Sequence, residues 1–351
     1  MNDWLSAAAN LPQAEPAVLV TVALVEGSGP REPGAKMLVT QADQFDTIGG
    51  GHLEMRAVEL SRAMLRGEGP SRRVERFALG PSLGQCCGGV VHLAFERVDG
   101  DLPAVLAALH QHRNRDCWRL SAIDGAPTSI LLDAFGERIA GSDLGSAPVC
   151  IAEPDTRPIR DAAGNRWLVD VWRAPRAHLT LFGAGHVGAA IVRALADLPC
   201  RVTWVDERAD QFPPEVPANV RVEACDAPEA LVDAAPPGGS FLVMTHQHAL
   251  DLRLTEAILA RGDAGWFGLI GSQTKRQQFE HRLRARGIAP ERVAAMVCPI
   301  GLPGIAGKAP AVIAASVCAQ LLMAWEAAER DDNHARLVSC RAAPQQASPQ
   351  R

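Results

Sequence analysis

HLTLFGAGHVG, residues 178–188, decides how the second half of this chain folds. His178–Phe182 is a short apolar run that suits a buried strand, and a helix-like segment follows its glycines as far as Leu198. Gly183 permits a tight turn, Gly185 lets backbone approach a pyrophosphate, and Gly188 allows close packing of helix on strand. A helix starting here offers free N–H groups and partial positive charge to a phosphate. Arg201–Val205 reads as the next strand and ends in Asp206, placed to accept from ribose hydroxyls and to repel a 2′-phosphate. Phe241–Thr245 and Trp266–Ile270 are further apolar runs, each followed by a helix-like segment. This alternation predicts a Rossmann-like parallel α/β domain over residues 176–329, with a dinucleotide of the NAD type as a candidate cofactor. Its last helix is expected from Ala309 to about Glu329, with Pro310 in the first turn, and the polar stretch 330–351 as a disordered tail.

Residues 1–175 read differently. Strands are expected at Ala17–Glu26, Met37–Thr40, Arg73–Leu79, Val90–Val98, Trp118–Ile123, Ser129–Phe135 and Arg166–Trp172. Helices are expected at His52–Arg66, where Leu53, Ala57, Leu60 and Met64 recur at helical spacing, and at Leu102–His112. Strands outnumber helices without strict alternation, which makes this an α+β domain ending at Ala174-Pro175-Arg176. The whole chain is thus α/β in class, an α+β domain followed by a Rossmann-like one.

Composition narrows the function. The 351 residues contain no Tyr, which excludes catalysis by a Tyr general acid, and carry a net charge of −5. Without a strong positive field, neither nucleic acid nor an anionic membrane is an expected partner. The N-terminus lacks a basic region followed by an apolar stretch, and the nine Cys are irregularly spaced, so reduced thiols and a cytoplasmic location are expected. Ala17–Val25 is too short to span a bilayer, and polar residues interrupt Ala309–Trp325. Only three of the 35 basic residues are lysine, so the other 32 are arginine. Lys36, Lys275 and Lys308 all lie in Gly-rich loops, which suggests a requirement for a compact ammonium there.

Several loops could carry chemistry. In Glu26-Gly27-Ser28-Gly29-Pro30-Arg31-Glu32-Pro33-Gly34-Ala35-Lys36, Arg31 and Lys36 put two cations beside flexible backbone, suited to an oxyanion. Gly49-Gly50-Gly51 precedes a helix and could form an anion nest or a plain turn. In Gly84-Gln85-Cys86-Cys87-Gly88-Gly89 the flanking glycines leave the thiols little cover. Cys86 and Cys87 could ligate a transition metal or accept sulfur; the other reading is two small apolar residues in a β-bulge. Thr245-His246-Gln247-His248-Ala249-Leu250-Asp251 should emerge at the carboxyl edge of the second sheet. There His246 and His248 could face a ligand or, with Asp251, form a partial metal shell, unless Asp251 or Thr245 simply caps the next helix. Loops ending in Lys275 and Lys308 are expected at the same edge.

Together EGSGPREPGAKMLV, TIGGGHLE, LGPSLGQCCGG, LFGAGHVG, VMTHQHALD, GLIGSQTKR and PIGLPGIAGK resemble the XdhC/CoxI family of xanthine dehydrogenase accessory proteins. The resemblance spans about residues 17–325, with little from 99–175. It implies a cytoplasmic chaperone that binds molybdenum cofactor, works with a cysteine desulfurase that supplies the sulfido ligand, and delivers the product to apo-xanthine dehydrogenase. Arg31, Lys36 and Gly49–Gly51 would then hold the cofactor phosphate, Cys86 or Cys87 would contact molybdenum or relay sulfur, and Gln85 would hydrogen-bond a pterin edge or an oxo group. A homo-oligomer is also expected. The alternatives are an NAD-dependent oxidoreductase using His246 or His248 as acid/base, and a His/Asp metal hydrolase.

Overall fold

The computed structural model describes residues 3–12, 15–80, 88–142 and 155–342, with side chains to residue 331. It divides into two compact units, Met1–Ala174 and Pro175–Arg351. Gln85, Cys86 and Cys87 lie outside the described residues.

The first unit runs α1 (Trp4–Ala9), β1 (Val18–Glu26), β2 (Lys36–Val39), β3 (Gln44–Asp46), α2 (Gly51–Leu65), β4 (Arg72–Ala78) and β5 (Val90–Arg97). It continues with α3 (Leu102–Gln111), β6 (Cys117–Ala122), β7 (Ser129–Asp133), β8 (Arg138–Gly141), β9 (Arg157–Arg160) and β10 (Arg166–Trp172). The strands form two five-stranded antiparallel sheets, in the orders β3-β2-β1-β5-β4 and β8-β7-β6-β10-β9. Side-chain alternation along β1 explains the layering. Val18, Val20 and Val22 join Leu53, Ala57 and Met64 of α2 in one core, while Leu19 points the other way into a core shared with α1, α3 and the second sheet.

The second unit runs β11 (Ala177–Phe182), α4 (His186–Ala194), β12 (Cys200–Asp206), β13 (Val220–Ala224), α5 (Glu229–Ala234), β14 (Ser240–Val243), α6 (His248–Arg261) and β15 (Trp266–Leu269). It ends with α7 (Gln273–Ala285), α8 (Pro290–Ala295) and α9 (Pro310–Ala342). Its sheet is parallel, ordered β13-β12-β11-β14-β15, the doubly wound arrangement expected from the glycine loop. Leu179, Leu181 and Trp204 face α4 and α9, and Phe182, Val205 and Phe241 face the opposite helix layer. Both sheet faces are covered, so the strands read as apolar runs rather than as alternating ones.

Two expectations about the last helix need correction. It continues to Ala342, past the end expected near Glu329. Pro310–Asp331 is also long and apolar enough to cross a membrane, despite its polar interruptions. A packing reason for that composition is visible: Ala314, Val317, Cys318 and Leu321, spaced by three, one and three, enter the core beside Ile191 of α4.

Candidate functional site

In the first unit, backbone contact brings three of the singled-out motifs to one corner. A Cβ on Gly49 would lie 2.5 Å from Pro30 Cβ, and one on Gly89 would lie 2.3 and 2.6 Å from the carbonyl oxygens of Ser28 and Glu26. No side chain fits there, so glycine is what lets the 27–35 connection, the 47–50 loop and the end of the 84–89 segment meet. Arg31 donates from Nη1 to Thr47 O at 3.4 Å, and His92 Nε2 lies 2.7 Å from Glu26 Oε1. Arg31 remains partly exposed and pairs with Glu32, whose hydrogen bond raises the guanidinium pKa above its ordinary value.

The glycine nest forms, but an anion of the chain already fills it. Gly49, Gly50 and Gly51 all have positive φ (117°, 71° and 66°), and Gly50 caps α2. Into this turn comes Glu54 from the first turn of α2: its Oε2 accepts from Ile48 N and Gly50 N at 3.0 Å each and from Thr47 Oγ1 at 2.5 Å. Gln44 Nε2 donates to Oε1 at 2.6 Å, while Gly49 N donates to Thr47 Oγ1 at 3.0 Å. Burial opposes ionisation of Glu54, but these hydrogen bonds win and hold its pKa below the usual carboxylate value. The expectation that Gly49–Gly51 holds a ligand phosphate is therefore corrected for the N–H groups of Ile48, Gly49 and Gly50.

Lys36 is corrected too. Its side chain is 4% exposed, and Nζ pairs with Asp170 Oδ1 and donates to Gly34 O, both at 2.7 Å. The ammonium also sits 5.4 Å from the Trp4 ring centroid. Asp170 accepts in turn from Arg119 Nε at 2.9 Å, and Arg119 makes two further bonds to Glu96 at 3.0 and 2.8 Å. Lys36 on β2 and Glu96 on β5 thus face Arg119 on β6 and Asp170 on β10: this buried network ties one sheet to the other. It offers no ammonium to a ligand.

In the second unit the carboxyl ends of the strands hold the other candidates. Gly183 has φ 119°, a left-handed conformation that penalises other residues, and a Cβ there would stand 2.4 Å from Met244 O. Gly188 packs its Cα side on Gly183 O, and Gly185 caps α4. Asp206 is turned inward rather than toward a ribose. Oδ2 accepts from Ala184 N at 2.7 Å and Arg208 Nη2 at 3.1 Å; Oδ1 accepts from Arg208 N at 3.0 Å and Nε at 2.9 Å. Burial opposes ionisation, but the Arg208 side chain and the Ala184 N–H keep the pKa below the ordinary value. The crevice between Phe182, Gly183, Asp206, Glu207, Thr245 and His246 encloses only about 10 Å³. Exposed Gln247 donates from Nε2 to Oε2 of Glu207, one of the lining residues, at 3.3 Å.

Neither Asp251 nor Thr245 caps α6, whose N-cap is Gln247 with no side-chain capping bond; Asp251 instead braces the loop ahead of it. Asp251, 2% exposed, accepts at Oδ1 from Thr245 N and Oγ1, at 3.0 and 2.7 Å. Its Oδ2 takes Lys275 Nζ at 2.6 Å, and the same ammonium donates to Ile270 O at 2.8 Å. His248 packs edge-on against Phe279 at 4.8 Å, and exposed His246 lies 3.2 Å from Gln247 Nε2. Asp251 is thus withdrawn from any His-Asp metal shell. No group of three or more His, Cys, Asp or Glu able to hold a metal occurs among the described residues. Lys275 braces two loops, whereas Lys308 is exposed just before α9.

Sequence reasoning missed Glu54 and Arg208. Both stood beside motifs already marked: Glu54 in the first turn after the glycines and Arg208 two residues beyond Asp206. Each neutralises the group that was expected to meet a ligand.

Two family models match in tandem, "XdhC and CoxI family" over residues 11–78 and "XdhC Rossmann domain" over residues 179–321. Among relatives, "Uncharacterized protein YqeB" of Escherichia coli (strain K12) is 32% identical over 153 residues, 42% of this chain. The match spans only 27% of YqeB's own length. A probable xanthine dehydrogenase subunit of Bacillus subtilis (strain 168) is 23% identical over 334 residues, covering 89% of this chain and 94% of that protein. A crystal structure described as a xanthine dehydrogenase from Bacillus halodurans shares the fold, with TM-score 0.71, 19% identity and coverage of 98% of this chain and 97% of that one.

Proposed function

Because this chain belongs to the XdhC/CoxI family, we propose that it is an accessory protein of xanthine dehydrogenase that carries molybdenum cofactor to the apoenzyme. In this reading it protects the cofactor, supports its sulfuration by a cysteine desulfurase, and then delivers it. The observation that carries the reading is the corner of the first unit, where the 27–35, 47–50 and 88–89 segments meet through glycine contacts. Those segments are the ones that distinguish this chain from an ordinary Rossmann protein. The corner fits an oxyanion cargo only in part. Arg31 supplies an accessible cation, while Lys36 and the 48–50 N–H groups are already satisfied by Asp170, Glu54 and Thr47. We therefore assign phosphate contact in this unit to Arg31, and metal contact or sulfur relay to Cys86 or Cys87 with Gln85 beside them.

The test is molybdenum and pterin analysis of the full chain purified from cells that make molybdenum cofactor. The proposal expects both, in near-equal amounts, and loss of molybdenum from a Cys86→Ala, Cys87→Ala double variant that still folds. Protein free of pterin, or a double variant that retains and delivers sulfurated cofactor normally, would reject it.

A further inference from the structure

We propose that the crevice of the second unit selects a nucleotide phosphorylated on the ribose 2′-oxygen over one with a free 2′-hydroxyl. This goes beyond the accessory reading and rests on a different unit of the chain. A ribose diol is ordinarily recognised by an open carboxylate at the end of the second strand, and Asp206 stands there. Its two oxygens, however, already accept four hydrogen bonds, three of them from Arg208, and its side chain is 4% exposed. A free diol would have to break a bidentate guanidinium–carboxylate pair to reach it, and such pairs are among the stronger hydrogen bonds in proteins.

Arg208 presents the opposite chemistry to solvent. Its side chain is 36% exposed, and only Nε, Nη2 and the backbone N–H are engaged. Nη1 has no partner among the described residues and can donate to a phosphate while the Asp206 pair stays intact. Asp206 then works as a brace. It ties the Arg208 guanidinium to Ala184 of the glycine loop, so the cation is held against Asp206, which lines the crevice. Binding also requires the Gln247 side chain to swing off Glu207, since the crevice as it stands holds about 10 Å³. That contact is exposed and 3.3 Å long, so releasing it opposes binding only weakly, while Thr245 stays held by Asp251.

Calorimetric titration of the full chain with 2′,5′-ADP, 5′-ADP and 5′-AMP tests this, 5′-ADP serving as the charge control. We expect 2′,5′-ADP to bind at least about tenfold more tightly than either of the others. Arg208→Ala should abolish that preference and, by uncovering Asp206, improve 5′-AMP; Arg208→Lys should keep part of the preference. Equal or reversed preference in the unmodified chain overturns the proposal, as does a preference that survives Arg208→Ala. Failure of all three probes to bind also overturns it, while leaving the cofactor-cargo reading standing on its own metal and pterin analysis.

Discussion

Replacing Lys36 by methionine removes one charge from the buried network and keeps most of the side-chain stem. Asp170, 2% exposed, then loses a 2.7 Å partner with no solvent to replace it. Removing one member of a buried ion pair typically costs about 3–5 kcal/mol, because the other charge remains buried. Arg119 still holds Asp170 at 2.9 Å and Thr156 Oγ1 lies 3.3 Å away, which places the expected loss near the lower end, about 3 kcal/mol. For a unit the size of Met1–Ala174 this corresponds to a fall in Tm of about 6–12 °C. Differential scanning calorimetry should show the shift in the transition of the first unit, with the second unmoved. Adding Asp170→Asn should recover part of the loss, since the orphaned charge disappears with it. An unchanged Tm together with weakened phosphate binding would refute this account and return Lys36 to a ligand-facing role.

Other perturbations probe other parts of the structure. Glu54→Ala should destabilise the first unit by about 1–3 kcal/mol, because the Ile48 and Gly50 N–H groups lose their acceptor, and added phosphate should restore part of the loss; thermal melts with and without phosphate would show it. Burial, with Arg201 and Arg221 adding, pushes the His178 pKa down to about 4 from 6.5. The unfolded chain therefore binds the extra proton first, and stability falls as pH drops from 6.5 toward 4, by about 2 kcal/mol after allowing for the ring's partial exposure; His178→Gln should flatten that part of a urea-denaturation pH series. Gly183→Ala should cost at least about 2 kcal/mol, since its Cβ would meet Met244 O at 2.4 Å in a left-handed backbone, and a native-like Tm would show that the 183–188 turn can relax.

Where local chemistry decides structure, the sequence was readable. The Gly183–Asp206 interval announced the parallel sheet because tight turn, helix start and strand end all fall within one short stretch. The periodicity of Leu53, Ala57 and Met64 likewise announced α2. Short elements such as β3, β9 and β13 were illegible, since β13 (VRVEA, with only half-buried and exposed residues) carries little burial signal of its own. The candidate site was legible by position but not by pairing. Gly-rich loops and their cations could be located, yet Asp170 lies 134 positions beyond Lys36, and such an ion pair leaves no local trace. Glu54 and Arg208 show the near-range version of the same limit: spacing places them beside the motif, while only the folded backbone turns them into it.

The most direct test of the accessory role is xanthine dehydrogenase itself, purified from otherwise identical cells with and without this chain and compared for activity per bound molybdenum and for sulfido content. The account predicts that enzyme from cells lacking the chain has markedly lower activity and sulfido-molybdenum content, both restored when the chain is resupplied. Equal activity and equal sulfido content in the two preparations would contradict it.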